Sequence, residues 1–264
     1  MSLDLKALCI EVCDLSREVG AFIKQEVSRV SSQDIETKSL NSLVSYVDKT
    51  AEEKIVKRLQ ELLPESGFIA EEGTSEKVGE SYNWIIDPLD GTTNFLHALP
   101  VYSVSIALQR NNEIILGVVY EVNQDECFYA WEGSLAYLNG KEIQVSKTTK
   151  LSDALLATGF PYYDFERLDA FFEFLKYLAQ NSRGIRRMGS AAVDLVYVAC
   201  GRFDAFFEYS LNAWDVAAGA FIVQQAGGQV SDFNGGDDWL FGRSIVASSN
   251  SLNSEFNTAL QTYL

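Results

Sequence analysis

Residues 84–95 read Trp-Ile-Ile-Asp87-Pro88-Leu89-Asp90-Gly91-Thr92-Thr93-Asn94-Phe95. An apolar run with strand character ends in Asp87, and a second carboxylate, Asp90, follows after a proline. Gly91-Thr92-Thr93 then opens a short helix. Pro88 disfavours the helical region for Asp87 and sets the bend behind it, which turns the Leu89 carbonyl toward the same point as the two carboxylates. Oxygen ligands of this kind suit Mg²⁺ or Mn²⁺. Gly91 lets backbone approach a ligand, and the free N–H groups of a helix start suit a phosphate. The alternative is an Asp-Pro turn followed by a Thr cap, both ordinary uses of these residues.

Outward from this motif the chain alternates helix and strand signals. Leu5, Leu8, Val12, Leu15, Val19 and Phe22 are spaced three and four apart, as in an amphipathic helix. A polar loop is expected at 31–44. A second helix carries Ala51, Ile55, Leu59, Leu62 and Leu63 and stops at Pro64. A short strand, 67–70, delivers Glu71 and Glu72, and the motif strand covers 83–87. Apolar runs at 101–109, 113–122 and 126–131 form an antiparallel meander, and Asn139-Gly140 marks a tight hairpin. Beyond it come strands at 153–159, 183–187, 203–208 and 244–248, interleaved with helices at 165–180, 190–200, 214–226 and 251–262. Mixed sheets with interleaved helices imply a layered α/β architecture.

Three further acids have two readings each. Glu71 suits a metal site, but adjacent acids such as Glu71-Glu72 also make solvated turns. Asp48 stands in Ser45-x-x-Asp48, a capping-box pattern. Asp215, behind Trp214, serves either as a metal carboxylate or as the N-cap of an Ala-rich helix. His97 is the chain's one histidine, lies just past the motif, and reads as structural. Histidine phosphotransfer, a Ser-His-Asp triad and common zinc sites therefore lack their principal residue type. The acids at 87 and 90 are three apart, whereas an aspartyl-nucleophile phosphatase has Asp-x-Asp.

The bulk numbers agree with a globular chain. Its 264 residues are 47% hydrophobic, enough for a full core. No apolar run is long enough to span a bilayer, and no signal peptide is expected. Cys9, Cys13, Cys127 and Cys200 show neither disulfide nor zinc spacing, which fits a reducing cytoplasm. The net charge of −16 disfavours direct nucleic-acid binding and would repel a phosphate unless divalent cations reversed the local field.

Taken together, Asp87-Pro-Leu-Asp90-Gly-Thr-Thr-Asn94-Phe95, Glu71-Glu72 before it and Trp214-Asp215-Val-Ala-Ala-Gly after it resemble the inositol monophosphatase family, with similarity from the first helix through Gly227-Gly228. The resemblance implies an alternating α-β-α-β-α layered sugar-phosphatase fold. The chain would form one catalytic domain, 1–264, with halves at about 1–145 and 146–264, and would act as a homodimer. It implies Mg²⁺-dependent, lithium-sensitive hydrolysis of a small phosphorylated polyol, inositol monophosphate first, by metal-activated water. Glu71, Asp87 and the Leu89 carbonyl would hold one Mg²⁺, and Asp87, Asp90 and Asp215 a second. Glu71 would share a third. Thr92, backed by Asp48, would orient and deprotonate the water. The N–H groups of Gly91 and Thr92 would bind phosphate. Asp90, the Ala191 N–H, Glu208 and Asp215 would contact the substrate, Glu208 lying seven residues before Asp215.

Two stretches depart from the family pattern. The 73–82 loop is short, and 38–44 lacks an acid before Leu43-Val44. Competing readings are a sister phosphatase of the same fold, acting on fructose bisphosphate, phosphoadenosine phosphate or histidinol phosphate, and a regulatory protein-binding role on a phosphatase scaffold.

Overall fold

The computed structural model describes residues 3–30, 35–39, 42–161 and 164–264. The chain opens with helix α1 (Leu5–Glu26), whose first turn is capped by the Asp4 carboxylate accepting the Ala7 N–H at 3.0 Å. Strands β1 (Ile35–Ser39) and β2 (Ser42–Ser45) pair antiparallel. Helix α2 (Tyr46–Leu62) follows and ends just before Leu63-Pro64. Next come β3 (Gly67–Ala70), β4 (Tyr82–Asp90) and the short helix α3 (Thr92–Leu96). The meander is β5 (Ser103–Arg110), β6 (Glu113–Glu121), β7 (Glu126–Trp131), β8 (Ala136–Leu138) and β9 (Lys141–Ile143).

After a 3₁₀ turn at Leu151–Asp153 the second part runs β10 (Leu155–Thr158), α4 (Leu168–Asn181), β11 (Gly184–Arg186), α5 (Ala191–Ala199) and β12 (Ala205–Tyr209). It closes with α6 (Ala213–Gln225), β13 (Gly228–Ser231), β14 (Ser244–Ser249) and α7 (Asn253–Tyr263). Two sheets result. The seven-stranded one runs β3-β4-β5-β6-β7-β8-β9, parallel only between β3 and β4. The five-stranded one runs β11-β10-β12-β14-β13, with β10 parallel to both of its neighbours.

Side-chain alternation explains the layers. In β4, Trp84 and Ile86 face α1 and α2, while Ile85 faces α5 and α6. In β12, Ala205 and Phe207 face α4 and α7, while Phe206 faces α5 and α6. Successive strand side chains point to opposite faces, and both faces of each sheet are covered, so the strands read as near-continuous apolar runs. Helices α5 and α6 lie between the sheets, and all nine residues of α5 are buried. The order of layers is α1/α2, sheet, α5/α6, sheet, α4/α7.

The structure differs from the sequence expectation at three places. The polar loop expected at 31–44 contains the β1–β2 hairpin. Its mostly polar residues carry little hydrophobic periodicity, and residues 31–34, 40 and 41 lie outside the described residues. By contrast, helix α2 begins at Tyr46 behind the Ser45–Asp48 capping box, where the Ser45-x-x-Asp48 spacing puts its start. Strand β13 follows Gly227-Gly228, which read only as a helix stop; it is a four-residue edge strand paired with β14. Strand β4 continues past Asp87 to Asp90. The four cysteines are free, and Cys9, Cys13 and Cys127 are core residues. No described helix is long and apolar enough to cross a membrane.

Candidate active site

The continuation of β4 shapes the site. Asp87 pairs with Ser105 and Asp90 with Ser103, so three steps on β4 match two on β5. This is a β-bulge, a position where a proline without an N–H is tolerated and a strand can be re-aimed. The Asp87 carboxylate accepts the Leu89 N–H at 2.9 Å, closing the bulge. Gly91 follows with φ of 98°, and a Cβ there would crowd the carbonyls of Val101 and Gly189. A left-handed glycine therefore lets β4 turn directly into α3. The first-turn N–H groups, including those of Thr92 and Thr93, have no acceptor within the helix.

Asp87, Asp90 and Asp215 converge here. One oxygen from each lies within 4.8 Å of the others, the one such acidic group among the described residues. Burial, joined by the charges of Glu71, Asp90 and Asp215, pushes the Asp87 carboxyl well above the ordinary range. Burial and the Asp90 charge do the same to Asp215. Asp90 is pushed up to about 6 by burial, against the pull of hydrogen bonds from Ser190 and the start of α5. Two buried carboxylates and a half-buried third, which disfavour one another as anions, form a donor set that a divalent cation relieves. The all-oxygen chemistry fits Mg²⁺.

Each acid is also held by local structure. Asp90 Oδ2 accepts the Ser190 hydroxyl at 2.6 Å and the Ala192 N–H at 2.7 Å, docking the start of α5 onto β4. Asp215 is not the N-cap of α6: Asn212 is, and Asp215, three residues on, accepts the Asn212 N–H at 2.6 Å. Asp48 Oδ2 takes the Ser45 N–H and hydroxyl, both at 2.8 Å, while Oδ1 takes the Thr92 hydroxyl at 2.9 Å. The capping reading of Asp48 therefore holds, and the same carboxylate also reaches Thr92. Burial pushes the Asp48 carboxyl up against these bonds. The Leu89 carbonyl is a second acceptor for Thr92, at 3.0 Å.

Asp87, Leu89, Asp90, Thr92 and Asp215 line one cavity of about 130 Å³, together with Glu71, Gly91, Ala191 and Glu208, while Asp48 stands behind Thr92 and outside the lining. Glu71 is half-buried, and its N–H donates to the Ile86 carbonyl at 3.2 Å. It lines the cavity but stands outside the tight group of three. Glu208, 5% exposed, closes another wall. Burial and the Asp215 charge push its carboxyl well up. His97 is exposed and does not line the cavity.

Sequence reasoning missed three contributors. Arg187 is the one basic residue among the described residues that lines the cavity, and its charge favours the ionised forms of Asp90, Asp194 and Glu208. Asp194 also lines it, and its signal was available as the lone acid in the apolar run 191–199. Asn94 ties α3 to the loop before α5 by donating to the carbonyls of Val101 at 2.7 Å and Met188 at 2.8 Å. No local sequence feature marks Arg187, and Asn94 stands inside the 87–95 motif, but its tie to Met188 is not a local fact.

Comparison with known proteins meets the same geometry. The inositol monophosphatase family model matches residues 4–264. The Nus factor SuhB of Pseudomonas aeruginosa is 40% identical over 254 residues, 94% of each chain. The inositol-1-monophosphatase of Mesorhizobium japonicum is 38% identical over 242 residues, 91% of each chain. The crystal structure of the extragenic suppressor protein suhB from Bartonella henselae matches with a TM-score of 0.92 at 36% identity, covering 98% of this chain and 100% of that one. A family match across nearly the whole chain, on a layered α/β fold that gathers Asp87, Asp90 and Asp215, places this chain in the inositol monophosphatase family.

Proposed function

We propose that this chain hydrolyses a phosphomonoester in a Mg²⁺-dependent reaction, with inositol monophosphate as substrate and inositol and phosphate as products. The observation that carries this is the Asp87–Asp90–Asp215 group at the foot of a helix start and beside the Thr92–Asp48 pair. Asp87, Asp90, Asp215 and the Leu89 carbonyl would hold Mg²⁺, with Glu71 completing the set from the edge of the cavity. When bound, the cations supply Lewis acidity for water and for the phosphate oxygens. They also offset the repulsion between the substrate and a chain of net charge −16.

The protein's own groups bind and orient. The N–H groups of Gly91 and Thr92 face the phosphate. The Thr92 hydroxyl gives its proton to Asp48 or the Leu89 carbonyl, which leaves its lone pairs to accept from the attacking water. Asp48 is the acceptor able to take up a proton through Thr92. The Ala191 N–H, Asp90 and Glu208 hold the alcohol. Little covalent work is left to the protein in phosphoryl transfer, where placement and charge stabilisation dominate. The acids come from both halves, so the whole of 1–264 works as one catalytic domain. Sensitivity to Li⁺, a cytoplasmic setting and a homodimer are carried by family membership alone.

A phosphomonoester panel with Mg²⁺, with and without Li⁺, tests the reading. Inositol monophosphate is expected to be the preferred substrate. Asp87→Asn is expected to lower kcat by roughly a hundredfold or more, since it removes a charge from the cation site. An unchanged rate in a folded Asp87→Asn protein refutes the mechanism. A strong preference for a bisphosphate, a nucleotide or histidinol phosphate moves the substrate to a sister class.

One observation favours a second reading. A relative 40% identical is named a Nus factor, which points to a regulatory protein-binding role. Capture by RNA polymerase as bait, with full function of Asp90→Asn in cells, would support that role independently of turnover.

A further inference from the structure

Asp194 is a buried acid with no assigned work in the reaction above. It sits on α5 one helical turn beneath Ala191, and both residues line the cavity. Its side chain is 1% exposed, and Oδ1 has no hydrogen-bond partner among the described residues. Burying a carboxyl without partners is costly, and an apolar residue at this point of an otherwise apolar helix would carry no such cost. Glu208, another buried acid outside the three-carboxylate group, lines the same cavity. Gly159 makes room for it, since a Cβ there would run into the Glu208 carboxylate.

Burial, then the Glu208 and Asp90 charges, push the Asp194 carboxyl well above the ordinary range, with Arg187 opposing. A neutral carboxylic acid offers one O–H donor and acceptor oxygens. A hydroxyl group donates and accepts in the same way; an aryl or alkyl surface does neither.

We infer that Asp194 is a specificity-determining residue whose carboxyl group hydrogen-bonds a hydroxyl of a polyol monophosphate seated against α5. This rests on the phosphomonoesterase reading of the site. Discrimination is expected because a substrate without the hydroxyl leaves a buried polar group unpaired, a larger penalty than a lost apolar contact.

The test compares kcat/KM for inositol monophosphate with kcat/KM for an aryl phosphate, which lacks ring hydroxyls. The wild-type chain and the variants Asp194→Leu, Asp194→Ser and Asp194→Asn are measured with saturating Mg²⁺, each with a thermal melt. Asp194→Leu and Asp194→Ser, apolar and too short respectively, are expected to lower the polyol-to-aryl ratio roughly tenfold, mostly through KM for the polyol. Asp194→Asn, neutral and of the same shape, is expected to keep the ratio within about threefold. Asp194→Ser decides the matter if Asp194→Leu does not fold. An unchanged ratio in either folded variant, or an equal fall in Asp194→Asn, overturns the assignment while the phosphatase reading stands. A wild-type chain that hydrolyses both esters without polyol preference overturns the assignment alone, and one that hydrolyses neither overturns the phosphomonoesterase reading and the assignment with it.

Discussion

Asp48 shows how one side chain can satisfy two readings that look exclusive in sequence. A carboxylate has two oxygens with several lone-pair sites, and here they are divided: Oδ2 closes the capping box of α2 while Oδ1 accepts the Thr92 hydroxyl. Asp215 divides its work similarly, completing the start of α6 and joining the acidic group. The spacing Ser45-x-x-Asp48 makes the cap legible, but the partner 44 residues away in Thr92 is not a local fact. The division separates stability from catalysis. Thr92→Val is expected to lower kcat by about a hundredfold, the lower range for a positioned proton-handling group, with a near-native thermal melt. Asp48→Asn is expected to lower both kcat and the melting temperature, because it also disturbs the cap. Equal melting losses in the two variants would show that Thr92 acts only through the fold.

Among the elements, α2 governs a loop it does not contain. Glu52, wholly buried on α2, accepts the Glu72 N–H and the Thr74 N–H, each at 2.8 Å. This clamps the turn immediately after Glu71. In Glu52→Gln one of these N–H groups must face an amide NH₂ instead of an oxygen. The expected cost is about 1–3 kcal/mol, the price of an unsatisfied buried group, together with faster amide exchange at 72–74. Hydrogen-exchange mass spectrometry of that peptide checks it; native protection would mean the clamp carries no such weight. The bulge in β4 works on the same scale. Pro88 announces an interruption in sequence, and the strand nevertheless resumes at Asp90 because β5 still pairs with it. The β1–β2 hairpin and edge strand β13 escaped sequence reasoning for the complementary reason: short strands with little apolar alternation are defined by their pairing partners.

In the whole molecule, the acids gathered in one cavity make stability depend on both pH and cation. An acid whose pKa is raised by folding stays protonated while the unfolded chain has already released its proton. The folded state then binds more protons, and stability falls as pH rises through that window. For Asp90 the window runs from the ordinary 3.8 to about 6, and Asp87 and Asp215, raised well above their ordinary range, extend the trend upward. A cation bound by the same carboxylates competes with those protons and stabilises only the folded chain. Mg²⁺ is therefore expected to raise the melting temperature more at about pH 7.5 than at about pH 5. Melts in Mg²⁺ and in EDTA at both values check this, and equal increments would count against the site.

The sequence by itself determined the kind of molecule: helices and strands from their periodicities, a strand ending in two acids three apart, a helix start behind a glycine, and a chain poor in histidine and rich in acid. These are local properties, set by backbone geometry and side-chain chemistry over a few residues. Resemblance of the linked motifs then indicated the family before any coordinates. Only the tertiary structure decided which acids share a site, that Glu71 stands at the edge of the tight group rather than within it, and that Arg187 and Asp194 line the same cavity. Those facts depend on packing α5 and α6 between two sheets, which brings residues a hundred or more positions apart to the end of β4, as in the Ser190–Asp90 and Ala192–Asp90 hydrogen bonds. No local pattern encodes such distances, because they are fixed by the burial of both faces of each sheet at once.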